Sequence, residues 1–569
     1  MKDTYILGMS RGHNSSVCLL KNGEQLFYIE EERLTRHKHD GTPFRALEET
    51  KKFTDRIDAV AIAHTDNSAP QSDWCSNNVY VELLRKHHLI DHSTPVYLMG
   101  HIHHQLHAAC AFYNSGFDSA VAIIVDGAGS RYDGTNNTGM PITFWEAESI
   151  INCNYPTDFS PLYKNYQTNY GTARQHIKIE NVETAECWIA DQPGIVKCYE
   201  AVTQYCGFSA IEAGKTMGLA PYGEADSRIP DFFLSNGASN RNLITPTIPS
   251  AADINTNNYE FLADPTLINQ KNLAYKLQLD TQQAVLDLIK KGIELSGNKN
   301  VVIAGGYGLN CVANYFYKKN LPADVNLYVE PISHDAGTSI GAARLVHFKE
   351  FQNDVKHPQT NIYHGPKYTI DVDQLIELDD FKATTVSYAD IAGLIRNKNI
   401  VCMFQGGSEA GPRALGNRSI LFDPTVPNGK DIVNQVKRRE WFRPFAGTVL
   451  KENVHEWFDM AGMEESPFMM YAVDVRKEKL GVVPSITHVD DTCRVQTVTE
   501  EQNPHYYKLI QEFNKLSNVP ILFNTSFNLG GDPLIETIDD ALSTLRKSDL
   551  KYLYLPEVSL LLEKNNALY

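Results

Sequence analysis

The sequence predicts an α/β protein of two lobes, the first an internally duplicated α/β unit and the second a mixed α+β unit. Three observations carry that reading. The chain has 569 residues, which at roughly 150 residues per domain allows three to four domain-sized units or two large ones. A strand leading into a turn and a further strand opens the chain, and a related layout returns near residue 121. Between residues 348 and 367 the apolar pattern dissolves into Lys, Gln, Asn, Asp, His and Pro, which marks a linker between a lobe of residues 1–347 and one of 368–569.

The elements follow in order. Strand character runs over Tyr5 to Leu7 and Ser16 to Leu20, and an Asn22-Gly23 turn then favours a tight hairpin into a strand from Gln25 to Ile29. The second start is Val121 to Val125, running into Asp126-Gly127-Ala128-Gly129, with a strand to follow around Ile142 to Trp145. Residues 140–275 are rich in Asn, Thr and Pro and read as insertions and helices of the first lobe. From Leu277 to Leu295 the positions Val285, Leu288, Ile289 and Ile293 recur at helical spacing, and the buried strand Val301 to Ala304 follows. In the second lobe Ser387 is placed as an N-cap with Asp390 three residues on, ahead of a helix carrying Ile391, Leu394 and Ile395 and a strand from Ile400 to Phe404.

Composition excludes several functions. Hydrophobic residues at 42% and charged residues at 21% describe a chain able to bury a core. Its 52 Lys+Arg against 69 Asp+Glu leave −17, so binding to a nucleic-acid backbone or an anionic membrane requires a local basic patch. Ten cysteines without a C-x-x-C pair argue against a disulfide framework or a thiolate zinc site. With no signal peptide and no apolar run approaching about 18 residues, the expectation is a soluble protein of a reducing compartment, the cytoplasm.

His103 and His107 stand four apart, which on a helix places both imidazoles on one face, able to hold one metal ion. Asp126, just past a strand, or Asp335, in the turn His334-Asp335-Ala336-Gly337, can add a hard oxygen, and such a set suits Fe(II), Zn or Mn. The competing reading is a histidine-rich face that packs or is solvated. The loop Gly305-Gly306-Tyr307-Gly308-Leu309-Asn310 lies between a strand and a helix, where its amides can meet a phosphate. Asp126-Gly127-Ala128-Gly129 is a second loop of this kind, and Glu212 to Gly223 adds Lys215 among glycines. Each alone is a turn; together in one lobe they point to a nucleotide.

In the second lobe Gly411 to Ser419 and Val436 to Phe445 concentrate cations in an acidic chain. A pocket built from Arg418, Lys437 and Arg443 would suit a small phosphorylated or carboxylated substrate, the alternative being a solvated surface or structural ion pairs. Two polar strand-end clusters lie downstream, Pro484 to Arg494 and Asn524 to Asn528. Ser526, His488 and Asp490 do not make a hydrolase, because no G-x-S-x-G elbow accompanies them.

Taken together these segments resemble the O-carbamoyltransferases of the nodulation and antibiotic-tailoring type, across nearly the whole chain. The carrying residues are Ile6-Leu7-Gly8 with His13, Glu31 to Arg36, the histidine helix, Gly214 to Ala220, Gly305 to Asn310, Gly411 to Ser419, Lys437 to Phe445 and Asn524 to Asn528. The resemblance implies a first lobe like the tRNA threonylcarbamoylation ATPases of the actin/sugar-kinase/Hsp70 superfamily and a second like their carbamoyl-adenylate-forming partner. It implies that carbamoyl phosphate and ATP form carbamoyl-adenylate in the second lobe, and that the carbamoyl group passes in the first to a small-molecule hydroxyl. On that basis His103, His107 and Asp335 bind a divalent metal, Fe(II), with Asp126 as a fourth ligand and Mg available for ATP. Lys215 adds positive charge, His13 is the general base, and Gly127, Gly305, Gly306 and Asn310 line the nucleotide. Arg418, Ser419, Lys437, Arg443, Arg494, Asn524 and Thr525 hold carbamoyl phosphate and ATP.

The chain departs from the family pattern at three places. Asn14 follows His13 where aspartate is usual, Tyr307-Gly308 replaces Val-Ala, and Ala446-Gly447 replaces Ala-Pro. Competing functions are a kinase of the same superfamily, a non-catalytic nucleotide-binding regulator, and a variant that carbamoylates a hydroxymethylated pyrimidine in nucleotide or DNA. Acceptor contacts are expected from residues 140–275 and the loop His64 to Tyr80, and a homodimer is the preferred assembly.

Overall fold

A computed structural model describes residues 3–65, 78–135, 139–168, 171–179, 185–247, 251–351 and 355–565. Most of the loop His64 to Tyr80 therefore lies outside the described residues. The chain forms two units, one of Met1–Glu31 with Asp40–Gln359 and one of Glu32–His39 with Thr360–Tyr569.

The first unit uses one sheet plan twice. In the first sheet β1 (Tyr5–Ser10), β2 (Ser16–Lys21) and β3 (Glu24–Glu30) run antiparallel, and β4 (Ala59–Ala63) and β5 (Val96–Leu98) continue from β1 in parallel, giving the order 3-2-1-4-5. Helix α1 (His103–Ser115) then leads into β6 (Ser119–Val125), which pairs antiparallel with β7 (Pro141–Asn154). Strand β7 pairs antiparallel with β8 (Asp158–Thr168), and β9 (Glu186–Ala190) joins β8 in parallel. Helices α2 (Ile195–Tyr205) and α3 (Leu267–Ser296) follow; β10 (Asn300–Ala304) and, after helix α4 (Cys311–Asn320), β11 (Asn326–Val329) then extend β6 in parallel. The central order 8-7-6-10-11 repeats that of the first sheet, as expected of a duplicated α/β lobe.

Helix α5 (Thr338–Glu350) packs on the first sheet and against α1, which packs on the second. Covered sheets explain why β1, β4 and β6 are apolar almost without alternation. The two helices meet at Gly341, where a Cβ would stand 2.0 Å from the carbonyl oxygen of Leu106. Backbone cannot yield as a side chain can. Gly341→Ala is expected to cost about 1–3 kcal/mol or more by overpacking, read as a lower midpoint in urea at unchanged m-value.

Six residues further along α5, His347 is 1% exposed and both ring nitrogens are buried without a hydrogen-bond partner. Burial, with His357 and Arg344 alongside, pushes it down to about 4. The fold thus binds the neutral ring, whereas the unfolded chain takes up a proton below its ordinary value of 6.5. The resulting stability is fully present above pH 6.5 and is lost as pH falls towards 4, by about 2 kcal/mol. His347→Leu should flatten that part of a stability-against-pH curve measured by chemical denaturation.

Two expectations for the first unit are corrected. Residues 140–275 hold the long strands β7 and β8 as well as helices, because bulges in the pairing of β7 with β8 interrupt simple alternation. Helix α3 starts at Leu267, ten residues before Leu277, where the Thr266 side chain accepts from the Asn269 amide and caps it.

The second unit is built on a ten-stranded mixed sheet. From its centre outward, Arg418–Phe422 pairs with Ile521–Ser526, then Ala446–Leu450 and Thr492–Val498, while Val401–Phe404 leads to the other edge. Ser387 and Asp390 form the expected capping box on Tyr388–Arg396. The expected boundaries change in two ways. Helix α5 runs to Glu350 and the division falls between Gln359 and Thr360, inside the segment read as a linker. Glu32–His39, counted with the first lobe, belongs to the second unit. There Arg33 donates to the carbonyl of Gly411 at 2.6 Å, and Arg36 donates to those of Leu534 at 2.6 Å and Pro533 at 2.9 Å. No periodicity announces such long-range bonds. Among the described residues no helix is long and apolar enough to cross a membrane.

Candidate functional site

In the first unit α1 begins at His103, whose amide donates to Ser130 Oγ at 3.0 Å while that hydroxyl donates to the carbonyl of Gly100 at 3.0 Å. Helical spacing then stacks His107 on the same face, its Nε2 lying 3.1 Å from His103 Nε2. Strand β6 delivers Asp126 at its end, and a 3₁₀ turn ahead of α5 delivers Asp335. His103 Nε2 is 3.5 Å from Asp126 Oδ2 and 3.6 Å from Asp335 Oδ1, and His107 Nε2 is 3.5 Å from Asp335 Oδ1. One ligand atom from each of the four lies within 4.8 Å of all the others, and all four residues are buried.

The electrostatics of this cluster favour a cation. Burial by itself would lower His103, but hydrogen bonds to Asp126 and Asp335 outweigh it and push His103 up to about 10. Burial raises both carboxyls, yet Asp335, opposed by His13, His103 and His107, is held well below the usual range. Asp126 is lowered as well, by the two histidines against burial and Asp335. Two imidazoles and two carboxylates converging without a thiolate form a donor set that fits a borderline or hard divalent metal.

The surroundings are arranged around Asp126. Its Oδ1 accepts from the Gly306 amide at 3.1 Å, tying the glycine loop to the cluster. Gly305 has φ +90° and a Cβ there would stand 2.3 Å from the Val125 carbonyl oxygen, so the loop needs glycine at that place. The carbonyl of Gly127 accepts from Gln167 Nε2 at 2.7 Å. His13, on the β1–β2 loop, places Nδ1 3.5 Å from Asp335 Oδ2 with its side chain 56% exposed, so it reaches both the cluster and solvent.

Several expected binding residues are given other partners. Asn310 caps α4, accepting from the Ala313 amide at 3.1 Å, and its amide donates to Gln278 Oε1 at 3.0 Å, so the side chain is spent within the lobe. Lys215 pairs at 2.8 Å with Glu212, the N-cap residue of its helix Ala213–Leu219, so its charge is met locally. Sequence reasoning missed Glu200. Its Oε1 would lie 3.2 Å from a Cβ on Gly127, and burial raises its carboxyl against the pull of Lys197. It falls in the stretch that shows no usable pattern.

The second unit gathers cations. Lys437, at the end of Gly429–Lys437, donates to the Ser526 carbonyl and to Asn528 Oδ1 at 2.9 Å. Arg438 then takes a left-handed φ of 55° and turns the chain, after which Arg439 Nη1 lies 3.5 Å from Thr525 Oγ1. Arg494 pairs across from Ala446, which on its other side faces Asn524. Its Nε is buried without a hydrogen-bond partner. Burial, then the charges of Arg439 and Arg443, hold Lys437 well below the ordinary lysine range. Burial, then Arg443 and Arg494, do the same to Arg439. Lys437 and Arg439, both destabilised by neighbouring cations, form with Arg443 and Arg494 a site that a polyanion stabilises.

Arg418, Ser419 and Asn524 turn inward. The Arg418 guanidinium is fully buried and donates to the carbonyls of Glu536 at 3.1 Å, Gln405 at 2.5 Å, Asn417 at 3.0 Å and Gly406 at 3.2 Å. The expectation that it meets substrate is corrected, since these carbonyls take up its fork. Ser419 Oγ accepts from the Gly416 amide at 2.9 Å, and Asn524 Nδ2 donates to Ala414 O, Thr448 Oγ1 and Gln496 Oε1. Arg439 replaces Arg418 as the candidate beside Lys437, Arg443 and Arg494.

Comparison with known proteins adds to this geometry. A family model described as Carbamoyltransferase N-terminus matches residues 57–344, and one described as Carbamoyltransferase C-terminus matches residues 392–562. The chain is 29% identical over 578 residues to Nodulation protein NolNO of Sinorhizobium fredii, covering 95% of this chain and 77% of that one. It is 33% identical over 251 residues to the 3'-hydroxymethylcephem-O-carbamoyltransferase of Streptomyces clavuligerus, covering 43% of this chain and 46% of that one. Among solved structures, full-length HypF in its phosphate- and nucleotide-bound form is similar at 13% identity and a TM-score of 0.37, over 61% of this chain and 56% of that one.

Proposed function

The chain belongs to the carbamoyltransferase family, and on that footing we propose that it is an ATP-dependent O-carbamoyltransferase acting on a small-molecule hydroxyl. The observation that carries this is that one chain builds two sites of opposite charge, a buried imidazole–carboxylate cluster and a group of four cations around the buried Lys437.

In the second unit Lys437, Arg439, Arg443 and Arg494, with Thr525, bind the phosphates of carbamoyl phosphate and ATP. Carbamoyl phosphate, ATP and one water give carbamoyl-adenylate, phosphate and pyrophosphate. Bringing these anions together is the main barrier, and the clustered cations offset their repulsion. In the first unit the acceptor oxygen attacks the carbamoyl carbon, the bond from that carbon to the adenylate oxygen breaks, and AMP leaves. His13, beside Asp335 and open to solvent, takes the hydroxyl proton at its other ring nitrogen, Nε2. Asp335 accepts from the imidazolium and steadies it. His103, His107, Asp126 and Asp335 would hold a divalent metal, Fe(II) on the family resemblance, which would supply positive charge near the adenylate phosphate. The Streptomyces clavuligerus relative is named for a hydroxymethyl acceptor, which is the kind of group we propose here, carried on a sugar, an antibiotic or another natural product.

The test is an assay of the full chain with carbamoyl phosphate, ATP and Fe(II) or Mg, offered sugars, aminoglycosides and hydroxymethylated nucleosides. The expected result is an acceptor heavier by about 43 Da together with stoichiometric AMP and pyrophosphate. ADP with a phosphorylated acceptor would replace this reading with a kinase, and product only on the nucleosides would move the acceptor class to modified pyrimidines.

A further inference from the structure

A cavity of about 590 Å³ opens in the first unit beside the start of α2, walled by β7, β8, α3 and the loop of residues 231–239. None of the metal-cluster residues lines it. The cavity is nevertheless close to that cluster. The amide of Gly194, in its wall, donates to Gln167 Oε1 at 2.9 Å, and Gln167 Nε2 donates to the carbonyl of Gly127, the residue after Asp126. One glutamine side chain thus separates the wall from the backbone of the cluster.

Its chemistry selects a class of ligand. Four carboxylates, Glu148, Asp231, Asp280 and Asp287, line it against two cations, Arg174 and Lys291, while Lys276 from outside the lining pairs with Asp231 at 2.5 Å and with Asp280 at 2.8 Å. Both cations are turned to the walls. Arg174 donates to Asn165 Oδ1 at 3.2 Å and lies 4.6 Å from the Trp188 ring, while Lys291 pairs with Glu186 at 2.8 Å. The amides at the start of α2 would attract an anion, but Glu148 already accepts from the Ile195 amide at 2.7 Å. One lining residue holds an acceptor in reserve, since Gln192 Oε1 is buried without a hydrogen-bond partner, while Ser239, 2% exposed, has its hydroxyl beside the Cys198 thiol. Phe233 adds an aromatic face, whereas the Tyr163 ring already carries the Lys291 ammonium 4.0 Å from its centroid. Surplus acceptors beside an aromatic face fit a ring bearing hydroxyl or ammonium donors and apolar C–H faces, and they disfavour an anion. The volume lies within the range of small-molecule sites, roughly 300–1,000 Å³.

We propose that this cavity is the acceptor's second subsite, holding a neutral or aminated polyhydroxylated ring remote from the hydroxyl that is carbamoylated. The role as acceptor subsite rests on the transferase reading above; the recognition of such a ring does not.

The test titrates the full chain, without carbamoyl phosphate or ATP, with glucosamine, methyl α-D-glucopyranoside and glucuronate, read by saturation-transfer NMR and calorimetry. Glucosamine should bind best and glucuronate least. Ala284→Trp, which fills the cavity from the half-buried face of α3, should raise the glucosamine Kd at least about tenfold. It should leave pyrophosphate formation by the second unit unchanged. Gln192→Leu removes the reserve acceptor without filling the space and should weaken glucosamine about threefold to tenfold. It keeps the test standing if the tryptophan variant does not fold. Unchanged binding in the folded variants, glucuronate bound as well as glucosamine, or no probe bound by the wild type would each overturn the proposal. Variant-sensitive sugar binding in a protein that never transfers a carbamoyl group would sink the transferase reading and leave ring recognition in place. Carbamoyl transfer without cavity binding would do the reverse.

Discussion

His107→Ala is expected to lose carbamoyl transfer by roughly a thousandfold or more, about 4 kcal/mol of transition-state stabilisation. His103→Ala should behave alike. The reason is geometric, because the two Nε2 atoms stand 3.1 Å apart facing Asp126 and Asp335, and removing either opens a four-donor set that is otherwise closed. Two readouts separate loss of the centre from loss of the fold. Metal content after loading, measured by elemental analysis, should fall from about one ion per chain to background. Pyrophosphate formation from ATP and carbamoyl phosphate, assigned to the second unit, should persist. A variant that keeps its metal and its transfer rate would show that the histidines merely pack.

Arg439→Gln carries the second large effect. Its guanidinium is half-buried, and burial with the charges of Arg443 and Arg494 holds it well below the ordinary range, as burial with Arg439 and Arg443 does Lys437. Replacing it by a neutral side chain of similar reach removes a charge-assisted bond to the phosphates, worth about 1.5–3 kcal/mol, so pyrophosphate formation should fall roughly 10-fold to 100-fold, chiefly through KM. The ligand-free protein should be as stable as the parent or more so, because like-charge repulsion is relieved. Arg418→Gln should do the opposite. It strands the carbonyls of Gln405, Gly406, Asn417 and Glu536 and leaves the buried Glu536 with Arg33 alone of its two cations, costing about 3–5 kcal/mol of fold stability. Thermal denaturation with and without added pyrophosphate distinguishes the two arginines, since ligand should raise the midpoint of the parent and not that of Arg439→Gln.

What could be read from the chain alone was whatever a short stretch of backbone decides for itself. The i, i+4 spacing of His103 and His107, the strand ends at Asp126 and Gly305, the Asn22-Gly23 hairpin and the Ser387 capping box are local, and the structure places each element where its pattern put it. The duplicated plan was legible for the same reason, because each half opens on its own hairpin. The choice of partner was not local. Arg418 and Arg439 are the same residue type in similar company, and only the pairing of Arg418–Phe422 between Val401–Phe404 and Ile521–Ser526 turns one guanidinium into the core. The left-handed turn at Arg438 brings the other back towards Thr525. Glu200 and the cavity beside α2 come together from residues scattered between 148 and 291, and Glu32–His39 joins the second unit through arginines bonded to carbonyls hundreds of positions away. Periodicity records which face of an element is apolar; which atoms meet across the fold depends on long-range packing and on satisfying buried charges, and that was settled only in three dimensions.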